Sequence, residues 1–361
     1  MVQEVFENVY SIEVELPNNP LRWLNSYYID NGGTSRDLLI DTGFNMPECR
    51  RALLAGMQEL NIDPQNTDLF ITHLHSDHCG NADMLEQMGC RIIMGRDDYA
   101  HLGTGSGHGW EDRRVRALED GMSNEDFENI FLHNPAVQYL PKPFHARLVD
   151  DGDVLPYGKF SFECIETPGH TPGHMCLFDR EKSLMFTGDH ILFDISPNIT
   201  FWPSVKDSLT DYIISLDKVR SLNVATALPG HRNCGRITAN ERIDQLFVHH
   251  EKRLAELEQM IREEPGLNGY ELAGKMRWKI RATLGGLSPR AEMVRLRRSS
   301  CPPRLLSQPR PRPSGNQKRP ARLLRRYLTV LFTSVEYSDR QIPVVSGVYS
   351  CIRKQLLYRQ K

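Results

Sequence analysis

Residues 73–78, HLHSDH, bring four metal-binding side chains, His73, His75, Asp77 and His78, into six positions. They follow Leu69, Phe70 and Ile71, an apolar run that reads as a buried strand. In an extended segment alternate side chains share a side, so His73 and His75 can face one ion. The chain then turns toward a helix, where Asp77 and His78 can face a second. A lone histidine is most often a core or surface residue. Four ligand-type residues packed this tightly behind a strand point to metal binding.

Three later segments repeat the pattern. TPGH ends in His170, FTGDH carries Asp189, and LPGH ends in His231. Each ligand-type residue follows an apolar strand and a glycine, which permits a tight turn and close backbone approach. Ligands at strand ends gather along one sheet edge, so positions far apart in sequence can converge. Imidazole nitrogen and carboxylate oxygen suit zinc, with manganese or iron as the other candidates.

The elements that must position these residues alternate. VYSIEVELP, SRDLLIDTG, DLFITH and RIIMG read as strands, and MPECRRALLAGMQEL and GNADMLEQMG as helices. In the first helix Leu53, Leu54, Met57 and Leu60 mark the expected apolar face. Residues 97–132 read as an inserted, polar, helical segment near the site opening. Strand patterns return in 154–170 and 175–190. DSLTDYIISLDKVRSL is a helix with Leu209, Ile213, Leu216 and Val219 on one face. ATALPGH is a short strand, and a long charged helix and a shorter one follow. This order predicts an α/β layered domain.

The formal charge of −2 over 361 residues hides two kinds of material. Residues 282–361 hold 17 Lys and Arg against 3 Asp and Glu, a net +14, whereas residues 1–281 carry −16. The first 281 residues would repel a polyanion. The eight cysteines include no CxxC pair, which predicts reduced thiols and a cytoplasmic chain. We expect no signal peptide, and no apolar run approaches the roughly 20 residues of a membrane span.

In that order, His73-x-His75-x-Asp77-His78, His170, Asp189 and His231, preceded by LLIDTG at 38–43, resemble the metallo-β-lactamase fold superfamily. The resemblance is closest to its glyoxalase II-like, bacterial metallo-hydrolase branch, and it covers about residues 8 to 235. It implies a four-layer αβ/βα sandwich with the site at one edge of paired sheets, and a small helical, winged-helix-like C-terminal part. The expected domains are 1–235 (catalytic), 236–281 (helical) and 282–361 (a basic Pro/Arg-rich tail). Carried over by position, His73, His75 and His170 would hold a first metal. Asp77, His78 and His231 would hold a second, and Asp189 would bridge them.

The resemblance implies a dinuclear metal-dependent hydrolase acting through a metal-bridging hydroxide on a small ester, thioester or lactone. Asp77 and Asp189 are the expected catalytic carboxylates, and the expected partner is a small molecule, with no membrane. Alternatives are a metal-dependent nuclease or phosphodiesterase of the same fold and a mononuclear iron dioxygenase. A further alternative is nucleic-acid binding through the basic tail.

Neighbouring residues carry weaker expectations. Asp41 organises the loop beneath the site and is not a ligand. Cys79 is a packed small residue. His174 is open between orienting a ligand and a structural role, and His190 between lining the pocket and not. Asn198, Phe201 and Trp202 are open between a substrate wall and the core. His108 and Trp110 are assigned to a lid. His101, His108, His133, His145, His249 and His250 are expected at the surface.

The tail has a competing explanation. AEMVR, residues 291–295, is encoded as GCN GAR ATG GTN CGN. One base on, CNG ARA TGG TNC permits the Gln-Lys-Trp-Phe ending expected of bacterial relatives and forces its tryptophan. A frameshift or gene-model error beginning near residue 282 accounts for this. A genuine tail that binds RNA or an acidic membrane is the alternative.

Overall fold

The computed structural model describes residues 1–103, 105–131, 135–276 and 336–337. Its first sheet runs β1 (Val2–Phe6), β2 (Val9–Glu15), β3 (Trp23–Ile29), β4 (Asp37–Ile40), β5 (Thr67–Ile71), β6 (Arg91–Gly95) and β7 (Ala146–Val149), in that spatial order. The pairs from β1 to β4 are antiparallel and those from β4 to β7 parallel. In the second sheet the order is β13 (Thr226–Pro229), β11 (Leu184–Gly188), β10 (Met175–Asp179), β9 (Phe160–Glu166) and β8 (Val154–Tyr157). The two-residue strand β12 (Ile195–Ser196) pairs with Glu336–Tyr337.

Alternation along the strands makes four layers. On β5, Leu69 and Ile71 point toward α1 (Pro47–Glu59) and α3 (Ala82–Met88), in a core with Leu53, Met57 and Leu85. Phe70 points the other way, into a core shared with Phe162, Leu177, Phe186 and Leu228 of the second sheet. The outer face of that sheet, with Ile165, Phe178 and Met185, packs on α8 (Ser208–Arg220) and α9 (Ala239–Glu263) through Tyr212, Leu216, Ile243 and Leu246. This is the expected αβ/βα sandwich. It explains why β5 is buried at every position: both faces of its sheet are covered.

Between β6 and β7 the chain is helical, as expected, in α4 (Arg96–Gly103), α5 (Gly105–Glu119) and α6 (Asn124–Phe131). The short α2 (Ser76–Cys79) follows β5, and α7 (Pro135–Gln138) precedes β7. After β13 come α9 and α10 (Gly269–Lys275), each opened by a capping box, Thr238 with Glu241 and Asn268 with Glu271. The expectations for 282–361 lie outside the described residues, apart from 336–337.

Two helix faces differ from the pattern read in the sequence. On α1 the buried residues are Cys49, Leu53, Gly56 and Met57, while Leu54 is 37% exposed. Adjacent positions on a helix cannot share one face. On α8 the centre of the face is the fully buried Tyr212, and Ile213 is only partly covered. Strand β3 had no signal in the sequence. It is covered on both faces, so it lacks alternation, and its buried Asn25 and Ser26 break the apolar run.

Candidate metal centre

Every ligand-type residue sits just beyond the C-terminal end of a strand. The segment 73–78 follows β5, His170 follows β9, Asp189 follows β11 and His231 follows β13. The glycines let these loops approach. A Cβ on Gly188, at φ +47°, would lie 2.7 Å from His174 Nε2 and 3.0 Å from Thr72. One on Gly230 would lie 2.8 Å from Asp189 Oδ1 and 2.9 Å from His78 Cε1.

All seven residues predicted as ligands are brought together. Donor atoms of His73, His75 and His170 lie within 4.8 Å of one another, as do those of Asp77, His78 and His231, and those of His73, His78 and Asp189. His73 Nε2 faces His75 Nδ1 at 3.1 Å, and His78 Nε2 faces His231 Nε2 at 3.1 Å. Asp189 reaches both sets, with Oδ1 3.5 Å from His78 Nε2 and Oδ2 3.6 Å from both His170 Nε2 and His231 Nε2. Asp77 Oδ2 is 3.3 Å from His231 Nε2.

The other ring nitrogens are anchored. His78 Nδ1 donates to Asp41 Oδ2 at 2.7 Å, His170 Nδ1 to the Asn198 carbonyl at 2.6 Å, and His231 Nδ1 to the Trp23 carbonyl at 2.9 Å. Thr72 Oγ1 donates to Asp41 Oδ2 at 2.8 Å and accepts from His73 Nδ1 at 3.0 Å. Anchors of this kind set the tautomer and turn the free nitrogen inward. Asp41, whose Oδ1 also accepts from the Thr72 N–H at 2.9 Å, faces away from the cluster, as expected of a residue that is not a ligand.

Burial and charge divide the histidines. Burial and neighbouring imidazoles push His73 and His75 well down, and burial lowers His170, so these rings are neutral at pH 7 with lone pairs to give. Burial also acts to lower His78, but the carboxylates of Asp41 and Asp189 carry it up to about 9. Asp189 and Asp77 likewise raise His231 against burial.

The donor set fits a metal on a further count. Among the described residues, His170 Nε2 and Asp189 Oδ1 are buried polar atoms without a hydrogen-bond partner. Such atoms are exceptions that call for an occupant.

The structure also settles the neighbouring residues. His174 is fully buried; its Nδ1 bonds Thr167 Oγ1 at 2.8 Å and its Nε2 accepts the Asp189 N–H at 3.1 Å, so it orients Asp189. His190 packs inward against Tyr212 and His174. Cys79 is buried, and burial raises its thiol well above the ordinary range. Trp202 stands over His75 with ring centroids 6.1 Å apart, and its Nε1 donates to the His170 carbonyl at 3.2 Å. His250, expected at the surface, is 1% exposed because α9 packs its ring against Tyr212. His145 is exposed as expected. His133 and the side chains of His108 and Trp110 lie outside the described residues.

Asp98 is the residue that sequence reasoning missed. It is fully buried and accepts from the Leu74 N–H at 2.8 Å, the Thr171 hydroxyl at 2.7 Å and the Gly173 N–H at 2.6 Å. It thereby clamps the loop of His73 and His75 to the loop of His170. An aspartate at the start of a polar helix gives no local signal of such a role.

Comparison with known proteins agrees with this geometry. The sequence model of the metallo-beta-lactamase superfamily matches residues 24–231. The acyl-coenzyme A thioesterase MBLAC2 of Gallus gallus is 27% identical over 234 residues, 58% of this chain and 77% of that protein. An atrochrysone carboxyl ACP thioesterase of Aspergillus fumigatus is 26% identical over 60% of this chain, but over only 39% of its own length. The crystal structure of a metallo-beta-lactamase family protein from Thermus thermophilus superposes with a TM-score of 0.67 at 25% identity, over 75% of this chain and 87% of that one.

Proposed function

The chain belongs to the metallo-beta-lactamase superfamily, and we propose that it is a dinuclear metallo-hydrolase whose substrate is a small thioester. The observation that carries this reading is the pair of three-residue donor clusters with Asp189 in reach of both. In it His73, His75 and His170 hold one divalent ion, Asp77, His78 and His231 hold the other, and Asp189 lies between them. Zinc suits these donors first. The thioester is supported by the two similar proteins named as thioesterases. A cytoplasmic setting is supported by the free thiols of the six described cysteines. Among the described residues no helix is long and apolar enough to cross a membrane. We take residues 1–235 as the catalytic unit and 236–281 as its helical appendage.

Two bound divalent ions supply an activated water, its pKa brought from about 15.7 to near 7, and polarise a carbonyl oxygen. The chain's own residues do the rest. Neutral His73, His75 and His170 offer lone pairs without a proton to displace. Asp77 and Asp189 supply negative charge to balance the cations. Asp41, Thr72 and His174 fix the orientations on which this depends. Trp202 walls the cluster beside His75 and limits water there.

Elemental analysis of the purified full chain tests the metal, and a panel of thioesters, lactones and phosphodiesters tests the substrate. About two zinc ions per chain and thioester turnover are expected. Asp189→Ala should lower metal content and cut turnover roughly a thousandfold, equivalent to several kcal/mol of charge stabilisation. A single iron would instead favour the dioxygenase reading, and phosphodiester turnover alone the nuclease reading.

A further inference from the structure

The inserted helix α5 brings a cation to the open side of the cluster. His73 is fully buried but His75 only half-buried, so His75 marks that side. Trp202 lies over it with the rings 28° apart. The guanidinium carbon of Arg113 is 4.3 Å from the centre of the Trp202 ring, and its charge is felt at His75. The next arginines of α5 are committed to their own helix, Arg114 to Glu111 at 2.6 Å and Arg116 to Asp120 at 2.9 Å. A guanidinium stacked on an aromatic ring uses its face there and keeps its in-plane N–H groups for hydrogen bonding. Burial pushes Arg113 down only to about 10, so it is a cation at neutral pH.

The rest of the site is rich in negative charge. Asp41, Asp77, Asp98 and Asp189 are all buried there, and among the described residues none is ion-paired to Lys or Arg. An anionic substrate would be repelled unless a cation met its charged group away from these carboxylates. Arg113 stands at that position, with Trp202 as a planar apolar surface beside it.

We infer that Arg113 is a specificity residue that receives an anionic group of the substrate, a carboxylate or a phosphate, through forked hydrogen bonds while the reacting carbonyl lies at the histidines. This rests on the thioester reading. A thioester offers the anion from two sources, a carboxylate on its acyl part or phosphates on its leaving thiol. The guanidinium fork fits both.

Calorimetric binding to the purified full chain separates them. The probes are glutarate, desulfo-coenzyme A (which has no thiol to bind a metal) and neutral glutaramide. At least one anionic probe should bind the wild type more tightly than glutaramide does. Arg113→Met should weaken that probe by about tenfold or more, and Arg113→Lys by less, because it keeps the charge but not the fork. Glutarate as the affected probe assigns the acyl carboxylate, and desulfo-coenzyme A the phosphate. The inference is overturned if neither anion binds, if Arg113→Met binds both as the wild type does, or if glutaramide loses as much as the anions. Thioester turnover is assayed on the same samples. Its absence would count against the thioesterase reading alone, while the calorimetry decides the role of Arg113.

Discussion

The two ends of β5 hold buried aspartates in opposite ways. At the N-terminal end, Asp68 meets permanent cations: Arg36 Nε at 2.6 Å and Arg91 Nε and Nη2 at 2.8 and 2.9 Å, with the Tyr157 hydroxyl at 2.9 Å from the second sheet. At the C-terminal end Asp41, Asp77, Asp98 and Asp189 are buried among imidazoles, hydroxyls and backbone N–H groups. The first end is electrically complete within the chain. The second has carboxylates in excess of fixed cations, the arrangement a chain needs when its cations come from solution.

The largest expected effect follows from removing those cations. If divalent ions complete the C-terminal end, a chelator should destabilise the whole fold. At free metal a thousand times its Kd the linked stabilisation is about 4 kcal/mol, which for a domain of this size is about 10 °C in Tm. Differential scanning calorimetry of the full chain, with and without chelator and then with zinc restored, reads this directly. An unchanged Tm in protein shown to have lost its metal would break the comparison, because the four carboxylates would then be satisfied by the chain alone.

Asp98 should come next. Asp98→Ala removes the acceptor of three hydrogen bonds and leaves the buried N–H groups of Leu74 and Gly173 without one, a cost of about 2 kcal/mol in chemical denaturation. Its pH behaviour identifies the end to which it belongs. Burial raises the Asp98 carboxyl to about 6 from an ordinary 3.8. A carboxyl raised in the fold takes up its proton there before it does in the unfolded chain, so between these values acidification favours the fold. Wild type should therefore gain stability relative to Asp98→Asn as pH falls from 7 to 4. A difference constant across that range would mean that Asp98 keeps an ordinary carboxyl.

The same contrast explains what the sequence disclosed. His73, His75, Asp77 and His78 were legible because four ligands fall in one turn of chain, and His170, Asp189 and His231 because each follows a strand and a glycine. The supports were less legible because their partners are remote. Asn25, on the unsignalled strand β3, donates from Nδ2 to the carbonyls of Pro229 and Arg232 and so holds the loop of His231. Asp98 joins loops that are separate in sequence. His174 orients Asp189 through a backbone N–H, a contact that residue type does not encode. Periodicity reports which face is apolar; it does not report which polar group on one strand will meet a carbonyl on another.

Asp68 gives the smallest effect and the sharpest control. Arg91 is largely exposed and Arg36 partly so, which screens both pairs, and Asp68→Asn should cost only about 1 kcal/mol at pH 7. Burial acts to raise the Asp68 carboxyl, but Arg91, Arg36 and Tyr157 outweigh it and hold it below 3.8. A depressed carboxyl contributes stability that is present above its unfolded value and lost as pH falls through its folded one. The advantage of the wild type over Asp68→Asn should therefore shrink below about pH 4, the opposite slope to Asp98. Metal content and thioester turnover should match the wild type, because the substitution lies at the far end of the strand from every candidate ligand. Matched slopes for the two aspartates in paired denaturation series, or a loss of metal in Asp68→Asn, would show that the ends of β5 are not electrically distinct.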